Sequence, residues 1–204
     1  MTNLDYPIVI DNILPSKKFF AIRDEFKYVG WTLSNKSLPN DQYISWGWKK
    51  ELNRANKLCF YDAGTFIKLK IQKYLKTNLI YIRSHVNGQT SGQVSKFHTD
   101  YHRSGTYTVV VFTEKSWDTQ WGGEFVFCDK DNNDYKYITY IPNRGVLIPA
   151  NYEHYGMSPN HFTSNLRTSV AFSYIKEKDL HKLLNKNSTN EARYFVGPTH
   201  GNGF

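Results

Sequence analysis

The spacing of hydrophobic residues changes near residue 78. Before it, apolar side chains recur every three or four positions, which predicts an amphipathic helix ending near Gly30 and a second helix over residues 62–76, with Asp62 as its cap. After it, apolar and polar residues alternate in short runs, as they do along β-strands. The pattern therefore predicts a mainly β protein whose helices are gathered at the N-terminal end.

Turn-forming residues divide the β-rich part into short strands. We expect a strand at residues 6–10, an irregular segment at 31–56, a short polar helix at 177–186 and a loosely ordered tail at 187–204. Eight further strands with no helix between them indicate a sandwich, jelly roll or barrel in a single domain over residues 1–204. These strands are expected at residues 78–86, 93–101, 107–113, 124–127, 135–141, 145–148, 154–157 and 168–175.

Composition supports a β-rich protein and excludes few functions. Aromatic residues make up 16% of the 204 positions, and their flat side chains pack well on pleated surfaces. The net charge is +8 without any run of five basic residues, which indicates a solvated basic surface or, alternatively, attraction to an acidic partner or nucleic acid. No nucleic-acid-binding motif supports the second interpretation.

Cysteine usage and the N-terminal stretch indicate an intracellular protein. Cys59 and Cys128 lack the spacing of a metal or redox pair and adjoin aromatic residues, which predicts buried thiols in a reducing compartment. Asp5 and Asp11 interrupt the N-terminal stretch, so we expect neither a signal peptide nor a membrane span. The expected location is the cytoplasm of a microbial or viral system, and the sequence leaves the oligomeric state open.

An imidazole and a carboxylate lie two positions apart at His98 and Asp100. Because we expect a strand here, both side chains point to one face and could meet at a divalent metal ion. An exposed hydrogen-bonded pair is the alternative, since this spacing is common in proteins. His102, beyond the expected strand end, is more typical of a solvated loop histidine.

A third candidate ligand, His154, begins an expected strand 56 residues after His98. In a sheet wrapped on itself, two such strand ends can face each other. Two histidines and one carboxylate on one side of a metal leave three positions open, which is typical of non-haem Fe(II) sites, whereas zinc prefers tetrahedral coordination. A hydrogen-bonded loop histidine is the alternative for His154 alone.

An arginine lies in an otherwise apolar strand at Arg167. By alternation, Ser169 and Ala171 share its face, which we interpret as the inner one. A buried guanidinium needs an anionic partner, and its planar fork suits a carboxylate, with the Ser169 hydroxyl as a further donor. A structural salt bridge to an internal acid is the alternative.

These elements together resemble the iron(II)/2-oxoglutarate-dependent dioxygenases. The order His98-x-Asp100, His154 and then Arg167 thirteen residues later looks like their motif, and Arg-Thr-Ser169 is similar to their Arg-x-Ser element. The Gly-Gly pair ending at Gly123 is similar to the prolyl 4-hydroxylase-like branch, as are the first strand and helix. The resemblance covers most of residues 5–176.

The resemblance implies a double-stranded β-helix, or jelly roll, with N-terminal helices on one sheet. It implies that His98, Asp100 and His154 hold Fe(II), and that 2-oxoglutarate chelates the metal while Arg167 and Ser169 bind its far carboxylate. O2 would be the second cosubstrate, and ascorbate a further reductant. The implied reaction is hydroxylation of a C–H bond, with water kept out by aromatic walls at Tyr101, Phe112, Phe125 and Phe172.

Two positions depart from the prolyl hydroxylase pattern. Phe112 lies where that branch usually has a tyrosine that contacts the cosubstrate. Tyr81, Arg83 and His85 are expected to share one face of the neighbouring strand, and we favour His85 as the replacement donor. Arg167 stands where branches with prolyl substrates often have lysine, which leaves peptide-proline specificity open.

Three function classes remain. The favoured one is hydroxylation of a protein or peptide side chain, foremost proline, with loops 31–56 and 87–95 as a lid. The second is the same chemistry on a free amino acid, small metabolite or nucleobase. The third is a jelly-roll module that binds sugars, or a zinc-dependent cupin isomerase. Tryptophans in the first loop either cap the core or form a substrate platform; they are Trp31, Trp46 and Trp48.

Overall fold

A computed structural model describes residues 5–34, 47–52, 58–93, 95–129 and 134–184. Trp46 and the predicted tail at 187–204 therefore lie outside the described residues. The helices are α1 (Ser16–Glu25), α2 (Leu58–Leu75) and α3 (His181–Leu184). The strands are β1 (Ile8–Ile10), β2 (Thr32–Ser34), β3 (Gly47–Leu52), β4 (Leu79–Gln89), β5 (Thr106–Phe112), β6 (Phe125–Asp129), β7 (Asp134–Ile138), β8 (Gly145–Pro149), β9 (His154–Gly156) and β10 (Arg167–Lys176).

The described strands form two antiparallel sheets. The larger sheet has the order β1-β8-β5-β10-β4-β3-β2, and the smaller has the order β7-β6-β9. Strand β10 is central, because it pairs with β4 along one side and with β5 along the other. The mainly β architecture expected from the alternating pattern is confirmed.

One face of the larger sheet is covered by the N-terminal helices. Val170 and Phe172 of β10 pack in the same buried cluster as Ile22 of α1 and Ile67 of α2. The close approach of α2 depends on Gly64, because a Cβ there would lie 2.7 Å from the Tyr81 ring. Burial of this face removes apolar surface from water and provides most of the core.

The opposite face of the larger sheet, here called the inner face, packs against the smaller sheet. Val110, Phe112 and Ala171 of the larger sheet form a second buried cluster with Phe125 and Phe127 of the smaller sheet. Strict alternation along β5 and β10 separates these residues from those facing the helices. The space between the two sheets is where the candidate site lies.

Tertiary pairing changes two local predictions in the first loop. The segment expected to be irregular at 31–56 contains β2 and β3, because β3 pairs along β4 and β2 then pairs along β3. Trp31 packs against the helix-side core and contacts the Phe26 ring at 5.9 Å, so it caps the core. Trp48 lies on β3 opposite Gly88.

Two other local predictions are wrong. Among the described residues of the strand expected at 93–101, only His98 forms a β-bridge, an isolated one to His154. Helix α2 begins at Leu58, so Asp62 lies inside it and pairs with Lys18 rather than capping the helix.

The pairing of β4 with β10 shifts register between Ser173 and Tyr174. Arg83 therefore lies opposite Ser173, on the inner face, whereas Tyr81 lies opposite Tyr174 and packs on the helix side. The expectation that Tyr81 shares a face with Arg83 and His85 is wrong. Phe172 also faces the helices, so it is not a wall of the site.

Candidate active site

The two candidate histidine ligands are held together by their own backbone. The His98 amide donates to the His154 carbonyl at 3.1 Å, and the His154 amide donates back at 3.0 Å. Two directly opposite residues of antiparallel strands exchange hydrogen bonds in this way, so the side chains of His98 and His154 project from the same side of the backbone. The two imidazole ring centroids are accordingly 4.6 Å apart.

Hydrogen bonds to carbonyl groups set the tautomer of both imidazoles. Nδ1 of His98 lies 3.1 Å from the Lys96 carbonyl, and Nδ1 of His154 lies 3.0 Å from the Tyr152 carbonyl. Because a carbonyl oxygen only accepts, both Nδ1 atoms carry the proton and donate. Both Nε2 atoms therefore keep a lone pair, as metal ligation requires.

Asp100 completes the cluster from between the two imidazoles. Its carboxylate oxygens lie 3.9 Å from Nε2 of His98 and 3.6 Å from Nε2 of His154. The Thr108 hydroxyl on β5 donates to the carboxylate at 2.6 Å and so fixes its orientation. The three candidate ligand atoms all lie within 4.8 Å of one another, so His98, Asp100 and His154 could hold one metal ion.

Electrostatics favour the protonation states that a metal needs. Burial raises the pKa of Asp100, but the imidazoles of His154, His98 and His85, with the Thr108 hydroxyl, outweigh burial and hold that pKa well below its usual range. Burial lowers the pKa of His154 to about 4, against the opposing attraction of Asp100. At neutral pH the site therefore offers an ionised carboxylate and a neutral His154 imidazole.

Arg167 lies on the inner face, at the far end of the same space. It is only 2% exposed, and its Nε donates to the Gly123 carbonyl at 2.7 Å while one terminal nitrogen, NH1, donates to Oε1 of Gln89 at 3.2 Å. The other terminal nitrogen, NH2, is buried and has no hydrogen-bond partner among the described residues. Burial lowers the pKa of Arg167 to about 10, which still leaves it charged at neutral pH.

Aromatic rings and glycines make the space around this guanidinium. The rings of Phe112 and Tyr140 lie 5.6 and 5.3 Å from its central carbon, within cation–π distance. A Cβ at Gly156 would lie 2.9 Å from NH1, and a Cβ at Gly123 would lie 3.1 Å from the Arg167 side chain. Gly123 also has a φ of +83°, which L-residues with side chains rarely adopt.

Tyr140 does not supply the hydroxyl that Phe112 lacks. Its ring stacks on Phe112 with centroids 4.6 Å apart, but its hydroxyl donates to the Thr168 carbonyl and accepts from the Thr113 and Glu114 amides. The hydroxyl is therefore fully used in joining the end of β5 to the start of β10.

The other predicted site residues occupy different layers of the inner face. Ser169 is buried opposite Phe112, two positions from Arg167. His85 lies opposite Ala171 and is close enough to the metal cluster to influence the pKa of both Asp100 and His154. Tyr101 is buried and accepts a hydrogen bond from Arg83. His102 is exposed and lies outside the cluster.

Several residues of the site have no signature in the sequence. Thr108 and Gln89 are not the only polar residues of their strands, and nothing in their spacing relates them to Asp100 or Arg167. Gly156 and Tyr140 become relevant only because they approach Arg167 in space. The Gly-Gly pair is the exception, since its doubled glycine was already visible before β6.

The residues present fit a divalent metal and an anionic ligand. The donor set of two imidazoles and one carboxylate is the type used by non-haem iron. The orphaned NH2 of Arg167 is a buried, charged donor without a carboxylate partner among the described residues, which is the requirement for binding an anionic group.

Sequence comparison agrees with this fit. Residues 82–174 match the family model described as the 2OG-Fe(II) oxygenase superfamily. The matched span runs from β4 into β10 and contains the three candidate metal ligands and Arg167. Among curated proteins, none matches the chain in sequence.

Solved structures share the fold at low sequence identity. A Pseudomonas putida prolyl-4-hydroxylase is 13% identical, with 83% of this chain and 92% of that chain covered and a TM-score of 0.62. A Trichoplax adhaerens prolyl hydroxylase, solved with a hypoxia inducible factor peptide, is 16% identical, with 86% of each chain covered and a TM-score of 0.64. HygX from Streptomyces hygroscopicus, solved with nickel and 2-oxoglutarate, is 11% identical, with 83% and 82% covered and a TM-score of 0.62.

Two facing antiparallel sheets with the candidate metal cluster between them form a double-stranded β-helix, or jelly roll, which is the fold shared with these solved structures. The likeness to the 2OG-Fe(II) oxygenase superfamily therefore covers residues 82–174 in sequence, and the solved structures share the fold around that span. The expected fold is confirmed, and the expected cofactors, Fe(II), 2-oxoglutarate and O2, are those of the matched family. None of the described helices has the length and hydrophobicity needed to span a membrane.

Proposed function

We propose that this oxygenase hydroxylates a C–H bond, with His98, Asp100 and His154 holding Fe(II) and Arg167 binding the far carboxylate of 2-oxoglutarate. The proposal rests on one observation: a cluster that could hold a metal ion lies in the same space as a buried guanidinium whose NH2 has no hydrogen-bond partner among the described residues. When bound, the iron supplies oxygen activation coupled to decarboxylation of 2-oxoglutarate.

The remaining residues orient and shield the reactants. Thr108 holds the Asp100 carboxylate towards the metal, and the ring of Phe125, 5.4 Å from that of His154, excludes water from that side. We assign Ser169 and His85 as further donors to the cosubstrate, because both lie on the inner face between Arg167 and the metal cluster. The described residues act as one catalytic domain in this proposal.

A prolyl residue of a protein or peptide is the substrate we favour. Support comes from the shared fold of two solved prolyl hydroxylases, one of them holding a peptide. A small molecule is the second candidate, because HygX, with the same fold, has been solved with hygromycin B bound. The test is succinate formation from 2-oxoglutarate and Fe(II) across proline-containing peptides, free amino acids and small metabolites. Succinate release with no member of the peptide panel, but with a small molecule, would reverse the order of these candidates.

Two variants test the residue roles in the same assay. Asp100→Ala is expected to abolish turnover, because the cluster then loses its only negative charge. Arg167→Ala is expected to weaken 2-oxoglutarate binding at least about tenfold, through loss of charge-assisted hydrogen bonds. Arg144→Ala is the matched control, since Arg144 pairs with the exposed Asp11 outside the site. Wild-type affinity for 2-oxoglutarate in the Arg167 variant would disprove the assignment of that residue.

A further inference from the structure

Gln89, the last residue of β4, has a buried side chain with three hydrogen bonds. It is 5% exposed and lies directly opposite Arg167 in the β4–β10 pairing. Its Oε1 accepts from Arg167 NH1 at 3.2 Å, and its Nε2 donates to the Ser95 hydroxyl at 2.6 Å and to the Gly156 carbonyl at 3.0 Å. Both ends of the amide are therefore engaged.

Chemistry permits only one orientation of this amide. A guanidinium has no acceptor, so the atom facing Arg167 must be the oxygen. A carbonyl has no donor, so the atom facing Gly156 must be the nitrogen. Rotation of the amide by half a turn would oppose donor to donor and acceptor to acceptor, so Gln89 holds NH1 of Arg167 in one place.

The partners of Gln89 connect Arg167 with both histidine segments. Ser95 lies three residues before His98, and Gly156 lies two residues after His154. One amide thus joins the start of β10, the end of β9 and the segment that leads into the His-x-Asp pair.

A neutral amide also preserves the charge of the guanidinium. Oε1 of Gln89 and the Gly123 carbonyl occupy NH1 and Nε without contributing a full negative charge, and NH2 is left for a ligand. A carboxylate at position 89 would instead form an ion pair with Arg167 and compete with an incoming anion.

We propose that Gln89 is the positioning residue of the cosubstrate site, aiming the guanidinium of Arg167 at the far carboxylate of 2-oxoglutarate and tying it to the segments that carry both histidines. This inference rests on the proposed function of Arg167. Gln89 acts through Arg167 and not by contact with the metal. Its effect is therefore on cosubstrate affinity first, with the turnover rate at saturating 2-oxoglutarate much less affected.

Binding of 2-oxoglutarate to the full chain loaded with Ni(II) tests the proposal by calorimetry, without turnover. Gln89→Leu removes all three bonds at similar size, and we expect about tenfold weaker binding, equal to about 1.4 kcal/mol. Gln89→Glu is expected to remain folded, because its ion pair with Arg167 offsets the loss of the hydrogen bond that Nε2 donates to the Gly156 carbonyl, yet to bind 2-oxoglutarate still more weakly. Turnover with Fe(II) should show a raised KM with kcat within about twofold.

Two further variants separate the parts of the inference. Gln93→Leu is the matched control, because Gln93 accepts from the Thr90 amide in the adjoining turn and does not contact Arg167, so its affinity should equal that of wild type. Ser95→Ala removes one bond from Gln89 and should weaken binding about threefold, as expected for a neutral hydrogen bond. Unchanged binding in Ser95→Ala would overturn the link to the His98 segment.

The outcomes distinguish this inference from the proposed function. Wild-type protein that does not bind 2-oxoglutarate would overturn both. Affinity for 2-oxoglutarate in Gln89→Glu equal to that of wild type would overturn the role of Gln89 but not the proposed function. This comparison remains informative even if Gln89→Leu does not fold. Equal losses in Gln89→Leu and Gln93→Leu would show a general effect of the turn, which also overturns the positioning role.

Discussion

Arg167 is the most informative single residue of this protein, because its guanidinium is buried and no carboxylate among the described residues forms a hydrogen bond with it. Desolvation penalises the charge of Arg167, and two neutral carbonyl oxygens, two aromatic rings and the nearby charge of Glu124 offset only part of that penalty. The buried NH2 without a partner is therefore a local cost that an anionic ligand would remove.

Gly156→Ala tests whether the space around Arg167 is required. The new Cβ would lie 2.9 Å from NH1 and would push the guanidinium aside, so we expect about tenfold weaker 2-oxoglutarate binding, with the fold retained. Gly30→Ala is the control, because among the described residues its Cβ would have only the Lys50 ammonium, at 4.0 Å, as a neighbour. Calorimetric binding measurements check the result, and equal affinities in the two variants would contradict it.

His154 gives the metal-free protein a predictable dependence on pH. Burial lowers its pKa from 6.5 to about 4, so between these values the unfolded chain binds the proton more readily than the folded chain. The stability contributed by the neutral imidazole is therefore present above pH 6.5 and is lost as the pH falls towards 4.

Urea denaturation of metal-free protein across this pH window measures the effect. Wild type should lose unfolding free energy as the pH falls, and His154→Asn should show a flatter slope because its side chain does not titrate. His102→Asn, a change at an exposed histidine, should retain the wild-type slope. A slope in His154→Asn equal to that of wild type would show that another group is responsible.

At the scale of elements, the site depends on where strands end. Arg167 begins β10, Gln89 ends β4, and the Gly-Gly pair precedes β6, so the end of the space that contains Arg167 is made by strand termini rather than strand centres. Strand termini leave backbone groups outside the ladders, and side chains such as those of Tyr140 and Gln89 satisfy them.

Tyr140→Phe tests this role of a side chain at strand ends. The Glu114 amide loses its acceptor while the ring stays against Arg167, so we expect a loss of about 1–3 kcal/mol in unfolding free energy. Affinity for 2-oxoglutarate should change by less than about twofold, because the ring keeps its cation–π contact. Tyr137→Phe, at a side chain that is 61% exposed, should leave stability unchanged. An unfolding free energy of Tyr140→Phe equal to that of wild type would refute the assignment.

For the whole molecule, a bound metal would connect segments distant in the chain. His98 and Asp100 precede β5 in the larger sheet, whereas His154 begins β9 in the smaller sheet. A metal that binds only the folded chain stabilises it by mass action.

Chelator and metal titrations measure this connection. Addition of Ni(II) at about 100 times its dissociation constant should raise the unfolding free energy by about 2.7 kcal/mol, and a chelator should reverse the gain. Asp100→Asn keeps the size of the side chain but removes its charge, so the variant should gain little. A gain in unfolding free energy on addition of Ni(II) that is as large in Asp100→Asn as in wild type would show that the metal binds elsewhere.

The sequence alone determined the fold class and the principal candidates for the site. Alternation along β5, β8 and β10 is a local property, because side chains two positions apart share a face whatever the strand pairs with. The sequence also indicated four site residues, because the motif is defined by residue types in a given order along the chain. They are His98, Asp100, His154 and Arg167.

Only the tertiary structure decided which residues surround those four. The stretch at 93–101 alternates like a strand but lacks a continuous partner among the described residues, whereas β3 forms because β4 offers one. The register shift beside Ser173 sends Tyr81 to the helix side, and pairing across β4 and β10 brings Gln89 to Arg167, 78 positions away. Hydrogen bonds and packing contacts between residues far apart in the chain depend on how the strands pair in the folded protein, and the local spacing of residues does not predict that pairing.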